Sequence, residues 1–450
     1  MKRKIFSVLF ALVLVLSFSL VTAVPAMAQP TEVWVDANTC PATGSGTQAD
    51  PYCKIQDGIN SVAPGGTVYV AAGTYQEDLA SWKDMEITKS LTLKGAGSGQ
   101  TIVELTEGKM NGVEIRGSGL SVLIEGVTFT KRPDADYASN YGLRIAETAS
   151  TFTSLMLKDV EISHATASNV LLGGAGTFES ITVEDSSFHH AGSWGFLASG
   201  QINSMIVTDS NFEHNGQVDA SHGIGLDLAG PGPFTNIAVI GGSFSHNKHT
   251  GLGIAQASNV RIEGVVASYN GGHPGAGFGV RIDEWQGKTQ NVLIENATAS
   301  YNVLDGIAIQ PEKEDAIENV TIRGATLSEN GRHGLNLVYI YTGSNNPEMT
   351  DVKIEFSNIY ENGGYGVRVW SWWEPMEITE VFDATNNWWG HAGGPQRPAG
   401  RSGNSQTGNQ TIGLIKNRSS YTHRAFISFF KRNSKTLRAN LGNFLTHLFR

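Results

Sequence analysis

Residues 251–270 read GLGIAQASNVRIEGVVASYN, and residues 279–302 read GVRIDEWQGKTQNVLIENATASYN. Each stretch holds a Gly followed by apolar-x-apolar, then a second apolar pair (Val260 and Ile262; Val292 and Ile294), then a third apolar position seven residues on (Ala267; Ala299). Apolar residues at period two in such short runs are strand signals. The same unit recurs through the chain. Its Gly slot is filled by Gly112, Gly142, Asn169, Gly195, Gly223, Gly251, Gly279, Gly306, Gly334 and Gly366, at steps of 26 to 32 residues.

The second pairs start at Val122, Leu155, Ile181, Met205, Ile237, Val260, Val292, Val320 and Val352. Four residues after each start stands Gly126, Asp159, Asp185, Asp209, Gly241, Gly264, Asn296, Gly324 or Phe356. Gly, Asp and Asn accept left-handed φ with the least strain, so a tight, fixed bend joins the second and third segments. Three short strands cannot bury an apolar face alone. Stacking the triplets closes one core and pairs the backbone between coils. The fold class expected is all-β: a single parallel β-helix with three sheets. Ile55, Ile59 and Val62 fall on one helical face, so residues 54–63 are expected to form a short helix capping the first coil.

Composition agrees with this. The chain of 450 residues has 53 Gly and 16% charged residues. Its net charge is −10, while the last fifty residues carry nine Lys or Arg and no acid, so the repeat body is more acidic still. An acidic body excludes nucleic acid as a partner. Residues 1–28 read as a signal peptide: Lys2, Arg3 and Lys4, an apolar run, then Ala26-Met27-Ala28. No transmembrane segment is expected after its cleavage. The expected organisation is therefore 1–28 signal, 29–395 β-helix, and 396–450 a basic, poorly ordered tail. Cys40 and Cys53 stand close together in an exported chain and read as a disulfide.

Several motifs together resemble the right-handed parallel β-helix repeat proteins of the pectin-lyase-like superfamily. They are Trp34-Val35-Asp36, Ile55-Gln56-Asp57-Gly58-Ile59, Gly73-Thr74-Tyr75, the coil repeats, and Asn386-Asn387-Trp388-Trp389-Gly390 before Gly394-Pro395. The resemblance implies a right-handed coil. It implies export and a polysaccharide or cell-surface glycan as partner, since that superfamily holds polysaccharide lyases, glycoside hydrolases, uronate epimerases, tailspikes and surface proteins without a reaction.

Loop lengths vary on both sides of the Gly strands, while the other bend is constant. Long loops on a rigid scaffold carry binding groups, so the Gly-strand sheet is the candidate floor of a cleft. Alternation gives its outward residues. One column runs Arg144, Leu171, Leu197, Gly225, Gly253, Arg281, Ala308, Asn336, Arg368. The next includes Asp227, Ala255, Asp283, Gln310, Val338 and Trp370. The candidate catalytic residues are Arg281, Asp283, Asp227 and Arg368. Asn336, Gln310, Tyr339, Trp370 and Trp372 are candidates for holding sugar, since flat aromatic faces suit pyranose rings. Asp227, Asp283 and Glu284 offer hard oxygen ligands of the kind Ca2+ takes, which would offset a uronate charge in a lyase. As a hydrolase pair, Asp227 and Asp283, two coils and about 10 Å apart, fall just outside the roughly 6.5–9.5 Å an inverting pair spans, and the loop acids Glu284, Glu312 or Glu374 could serve instead. No diagnostic lyase motif is present, and the Asn-Thr-Asp, Gly-His-Gly and Arg-Ile-Lys signatures of polygalacturonases are missing. The alternative is a non-catalytic glycan-binding or adhesion protein.

His164, His190, His214 and His246 share one slot in successive coils, continued by Tyr269 and Tyr301. Equal slots stack, so this column reads as packing rather than a zinc site. Asn215, Asn247, Asn270, Asn302, Asn330 and Asn362 follow it as an amide ladder. His222 and His333 share a slot with Tyr141, Trp194, Phe278 and Tyr365 and read as another stack.

Overall fold

The structure is a computed structural model describing residues 28–146, 151–174, 176–284, 287–311, 317–339, 349–371 and 383–390. The signal expected over 1–28 lies, except for Ala28, outside the described residues, and so does the tail expected over 396–450. The described chain is a right-handed parallel β-helix. The Gly strands form one eleven-stranded parallel sheet, from Lys83–Ile87 at one end to Val367–Ser371 at the other. The remaining two walls are joined by continuous strands such as Ser121–Lys131 and Thr151–Ser163, which run through the bend between them.

The bend residues do what their identity predicts. Asp159, Asp185, Asp209, Asn296 and Phe356 have φ between 46° and 55°, and Gly126, Gly241, Gly264 and Gly324 between 64° and 69°. A second left-handed corner holds the imidazole column, with His164 at φ 62° and His246 at 60°. Its rings stack face to face: His164 on His190 and His190 on His214 at 5.2 Å, His214 on His246 at 4.8 Å, then Tyr269 and Tyr301. The amide ladder runs one residue further inside. Asn270 Nδ2 donates to Asn302 Oδ1 at 2.9 Å, and Asn247 Nδ2 to Asn270 Oδ1 at 3.2 Å.

This ladder explains the repeat glycines. A Cβ built on Gly251 would meet Phe244 O at 2.3 Å and Asn270 Nδ2 at 2.9 Å, so only hydrogen fits between the ladder and the next strand. The core is a stack of aliphatic and aromatic side chains, in which Phe188, Phe212 and Phe244 lie ring on ring at 4.9 Å. One further ladder escaped the sequence reading. Asn236, Asn259, Asn291 and Asn319 stand at positive φ just before the apolar pairs, linked by amide hydrogen bonds of 2.9 to 3.2 Å.

Both ends are covered. The helix Ile55–Ser61 buries Ile55 and Ile59 against Val33, Val35 and Val68, and Glu77 accepts from the Ile55 amide at 2.8 Å. At the far end Trp389 packs on the core and Trp388 pairs its backbone with Ser357 and Ile359. Cys40 and Cys53 are disulfide-bonded. No helix among the described residues is long and apolar enough to cross a membrane.

Candidate functional site

The register of the Gly sheet corrects one assignment. Strand pairing aligns Leu197, Asp227, Gly253 and Arg281 as neighbours on four successive strands. Gly225, rather than Gly223, therefore occupies the repeat slot, and a Cβ there would meet Gly251 O at 2.5 Å. The loop Gly216–Gly223 is two residues longer than the spacing implied. Asp227 consequently leaves the column of Asp283 and joins that of Arg281.

This shift assembles a site. Gly253 separates Asp227 from Arg281 and has no side chain, so the two groups share one opening; a Cβ on Gly253 would lie 2.6 Å from Asp227 Oδ1. Arg281 Nε lies 2.7 Å from Asp283 Oδ2 on the same strand face, while Asp283 Oδ1 is buried without a hydrogen-bond partner. Trp194, one coil before Asp227, donates Nε1 to its Oδ2 at 3.1 Å. Burial pushes Asp227 up to about 6, against the pull of the Arg281 guanidinium and of the indole N–H. Burial also raises Asp283, with Arg281 opposing.

Two histidines complete the cluster. The ring of His222 lies on Trp194 with centroids 4.6 Å apart. It belongs to the 3-10 turn Ala220–His222, whose N-cap Asp219 accepts from His222 Nδ1 at 2.7 Å. Hydrogen bonds from Ser221 and His222 hold Asp219 down to about 2, so it stays ionised and fixes the imidazole's orientation. His222 thus stands two residues before its expected slot, yet its ring still packs on Trp194 of the column before the repeat glycines, where His333 and Tyr365 also stack at 5.5 Å. His249 is half-buried beside Thr250; burial first, then the charge of Arg281, push it down to about 4.

The other candidates fall elsewhere. Gln310 neighbours Asp283 in register. Asn336 lies two strands beyond Arg281; it is buried and gives its amide to Asp305 Oδ2 at 2.8 Å. Arg368, next in register, sets Nη1 3.2 Å from His333 Nε2. The backbones of Tyr339 and Trp370 sit in the last two strands of the sheet. Trp372 and the Glu284 side chain lie outside the described residues. Among the described residues no three His, Cys, Asp or Glu groups converge as a metal cage. At Asp283 the cation in contact is Arg281.

Asp219 and His249 were not singled out from sequence, and His222 and Trp194 were read there only as members of a ring stack. The one available signal was Asp219-Ala-Ser-His222, a cap residue three before a His, but His222-Gly223 also imitates the ring-Gly pair of other coils.

Residues 141–349 match the family described as right handed beta helix region. Over 180 residues the chain is 26% identical to the mannuronan C5-epimerase AlgE6 of Azotobacter vinelandii, a stretch that is 39% of this chain and 18% of that protein. The chain thus spans less than a fifth of this relative. Among solved structures, the Dettilon tailspike protein superposes with a TM-score of 0.52 at 12% identity, covering 79% of this chain and 68% of that one. The A-module of Azotobacter vinelandii mannuronan C-5 epimerase AlgE4 gives 0.48 at 18% identity, covering 74% and 96%. The tailspike likeness supports the fold.

Proposed function

We propose that this chain acts on a uronate-containing polysaccharide by removing the proton next to the uronate carboxylate. The observation that carries this reading is the Asp219–His222 pair docked on Trp194, which in turn holds Asp227 opposite Arg281 across the Gly253 gap.

A uronate C5–H is too weak an acid while the adjoining carboxylate keeps its full charge. The Arg281 guanidinium supplies the offsetting charge at a partly buried site, where it is worth more than in water. His222, oriented through Nδ1 by Asp219, takes the proton on Nε2. The C5–H bond breaks, its electron pair moves into the carboxyl group, and an enediolate forms. Two outcomes share this step. A proton delivered to the opposite face inverts C5. Departure of the 4-linked sugar with the electrons of the C4–O bond leaves an unsaturated end. Asp227, poised near 6, is suited to donate a proton in either case.

Hydrolysis fits less well. It needs one carboxyl kept readily ionised beside a protonated one, yet burial raises both Asp227 and Asp283. The match to a protein named a mannuronan C5-epimerase supports uronate chemistry. The disulfide suits an oxidising compartment outside the cytoplasm.

The test is incubation with galacturonan, mannuronan, guluronan and a neutral glucan. Ultraviolet absorbance reads unsaturated ends, and proton NMR reads C5 configuration. The expected result is change in one or more uronates and none in the glucan. Binding of uronates without any change would mark a non-catalytic glycan-binding protein and overturn the proposal.

A further inference from the structure

The Gly-sheet floor carries a second guanidinium, away from the cluster. Arg144 stands in the strand Tyr141–Ala146, three strands before Asp227 in the same register column. At the usual strand spacing that is about 14 Å along the coil axis. Between them the column presents Leu171 and Leu197, both half-buried.

Arg144 differs from four other arginines of the body. Arg116, Arg261, Arg281 and Arg323 each ion-pair with a carboxylate. Among the described residues no carboxylate lies within ion-pairing distance of Arg144. Its contacts are apolar or weak: the Tyr141 ring, 5.4 Å from the guanidinium carbon, and Met110 Sδ, 3.4 Å from Nη1. Its Nε is buried and has no hydrogen-bond acceptor. The register neighbour Glu114 is already committed, with Lys83 Nζ at 3.1 Å from Oε2 and Asn111 Nδ2 at 3.4 Å from Oε1. A half-buried cation without a partner is costly, and its donors are satisfied when an anion arrives. Beside it Met110 is 47% exposed, an apolar surface against which a sugar ring can lie.

We infer that Arg144 binds the carboxylate of a second uronate unit, in the same polymer whose reacting unit occupies the Asp227–Arg281 opening. The inference rests on the function proposed above. It commits the site to a polymer lying along the coil axis over Leu171 and Leu197. The reacting sugar is then internal to the chain, and a fragment too short to reach Arg144 gains nothing from it.

The experiment measures binding of galacturonan, mannuronan and guluronan by calorimetry, apart from turnover, for the full chain and for Arg144→Gln and Arg144→Lys, with thermal melts confirming folding. Arg144→Gln is expected to weaken binding of the recognised polymer about tenfold, with a shallower salt dependence. Arg144→Lys keeps the charge and recovers part of the loss. If turnover is found, KM for the polymer rises about tenfold while kcat stays within about twofold, and short oligomers are unaffected. Wild-type affinity in a folded Arg144→Gln, with turnover intact, overturns this subsite and leaves the proposed reaction standing. Failure of the wild type to bind any of the three polymers overturns both.

Discussion

Trp194 donates its indole N–H to Asp227 at 3.1 Å, so a ring on one coil fixes the carboxylate of the next. The same ring carries His222 on its face, 4.6 Å between centroids. Trp194→Phe keeps a ring for His222 and removes the donor. The bond favours the ionised carboxylate, so its loss moves Asp227 above its value of about 6. Asp227 acts in its protonated form, so the alkaline limb of the kcat/KM profile is expected to shift upward. Stability falls by about 2 kcal/mol at neutral pH, because a buried charged acceptor loses a partner. An unchanged profile would mean that Asp227 takes no part in the reaction.

Gly253 leaves the space through which Asp227 and Arg281 face each other. Gly253→Ala puts a methyl 2.6 Å from Asp227 Oδ1, and the carboxylate must turn away. Displacement of about 1 Å in a catalytic group costs about a hundredfold in rate. The expected variant is folded, with stability lowered by about 2 kcal/mol as the turned carboxylate gives up its indole donor, and kcat down by that order. Wild-type kcat would show that the alignment of these two residues is irrelevant to turnover.

Asn270 makes the amide ladder continuous. Its Nδ2 reaches Phe244 O and Asn302 Oδ1, and its own Oδ1 accepts from Asn247. Asn270→Asp removes both side-chain donations and buries a charge. Urea unfolding should show a loss of about 3 kcal/mol or more. A loss below 1 kcal/mol would contradict the view that the ladder stabilises the coil stack.

His164 begins the imidazole column and is pushed down to about 4 by burial and by the charges of His190 and His189. Its folded pKa lies below the unfolded value of 6.5. The unfolded chain therefore binds the proton first, and stability is lost as pH falls from about 6.5 towards 4. His164→Asn suits the left-handed backbone there, φ 62°. In urea titrations at pH 7 and pH 4.5, wild type should lose about 1 kcal/mol more than the variant. Equal losses would mean that His164 titrates normally in the folded chain.

The coil architecture was readable because its causes are local. The residues from Gly126 to Phe356 that sit four past each pair start all adopt left-handed φ. The Asn and His columns follow from equal spacing. The site was less readable because it depends on register across coils. Gly223 and Gly225 both fit the repeat pattern, and only the pairing of Leu226 with Phe196 and Leu252 decides between them. That two-residue offset moved Asp227 into the column of Arg281. The Asp219–His222 pair sits in the loop that causes the offset, so periodicity carries no information about it. Asn336 looked like an outward polar group, but Asp305 takes its amide from a neighbouring coil.

The most direct test follows the hydrogen itself. The full chain is incubated in deuterated water with the uronate polymer it recognises, and NMR reads deuterium at C5. Wild type is predicted to incorporate it, and folded His222→Gln to do so at least about a hundredfold more slowly. Absence of exchange in every uronate polymer, or equal exchange in the two proteins, would contradict proton abstraction by His222.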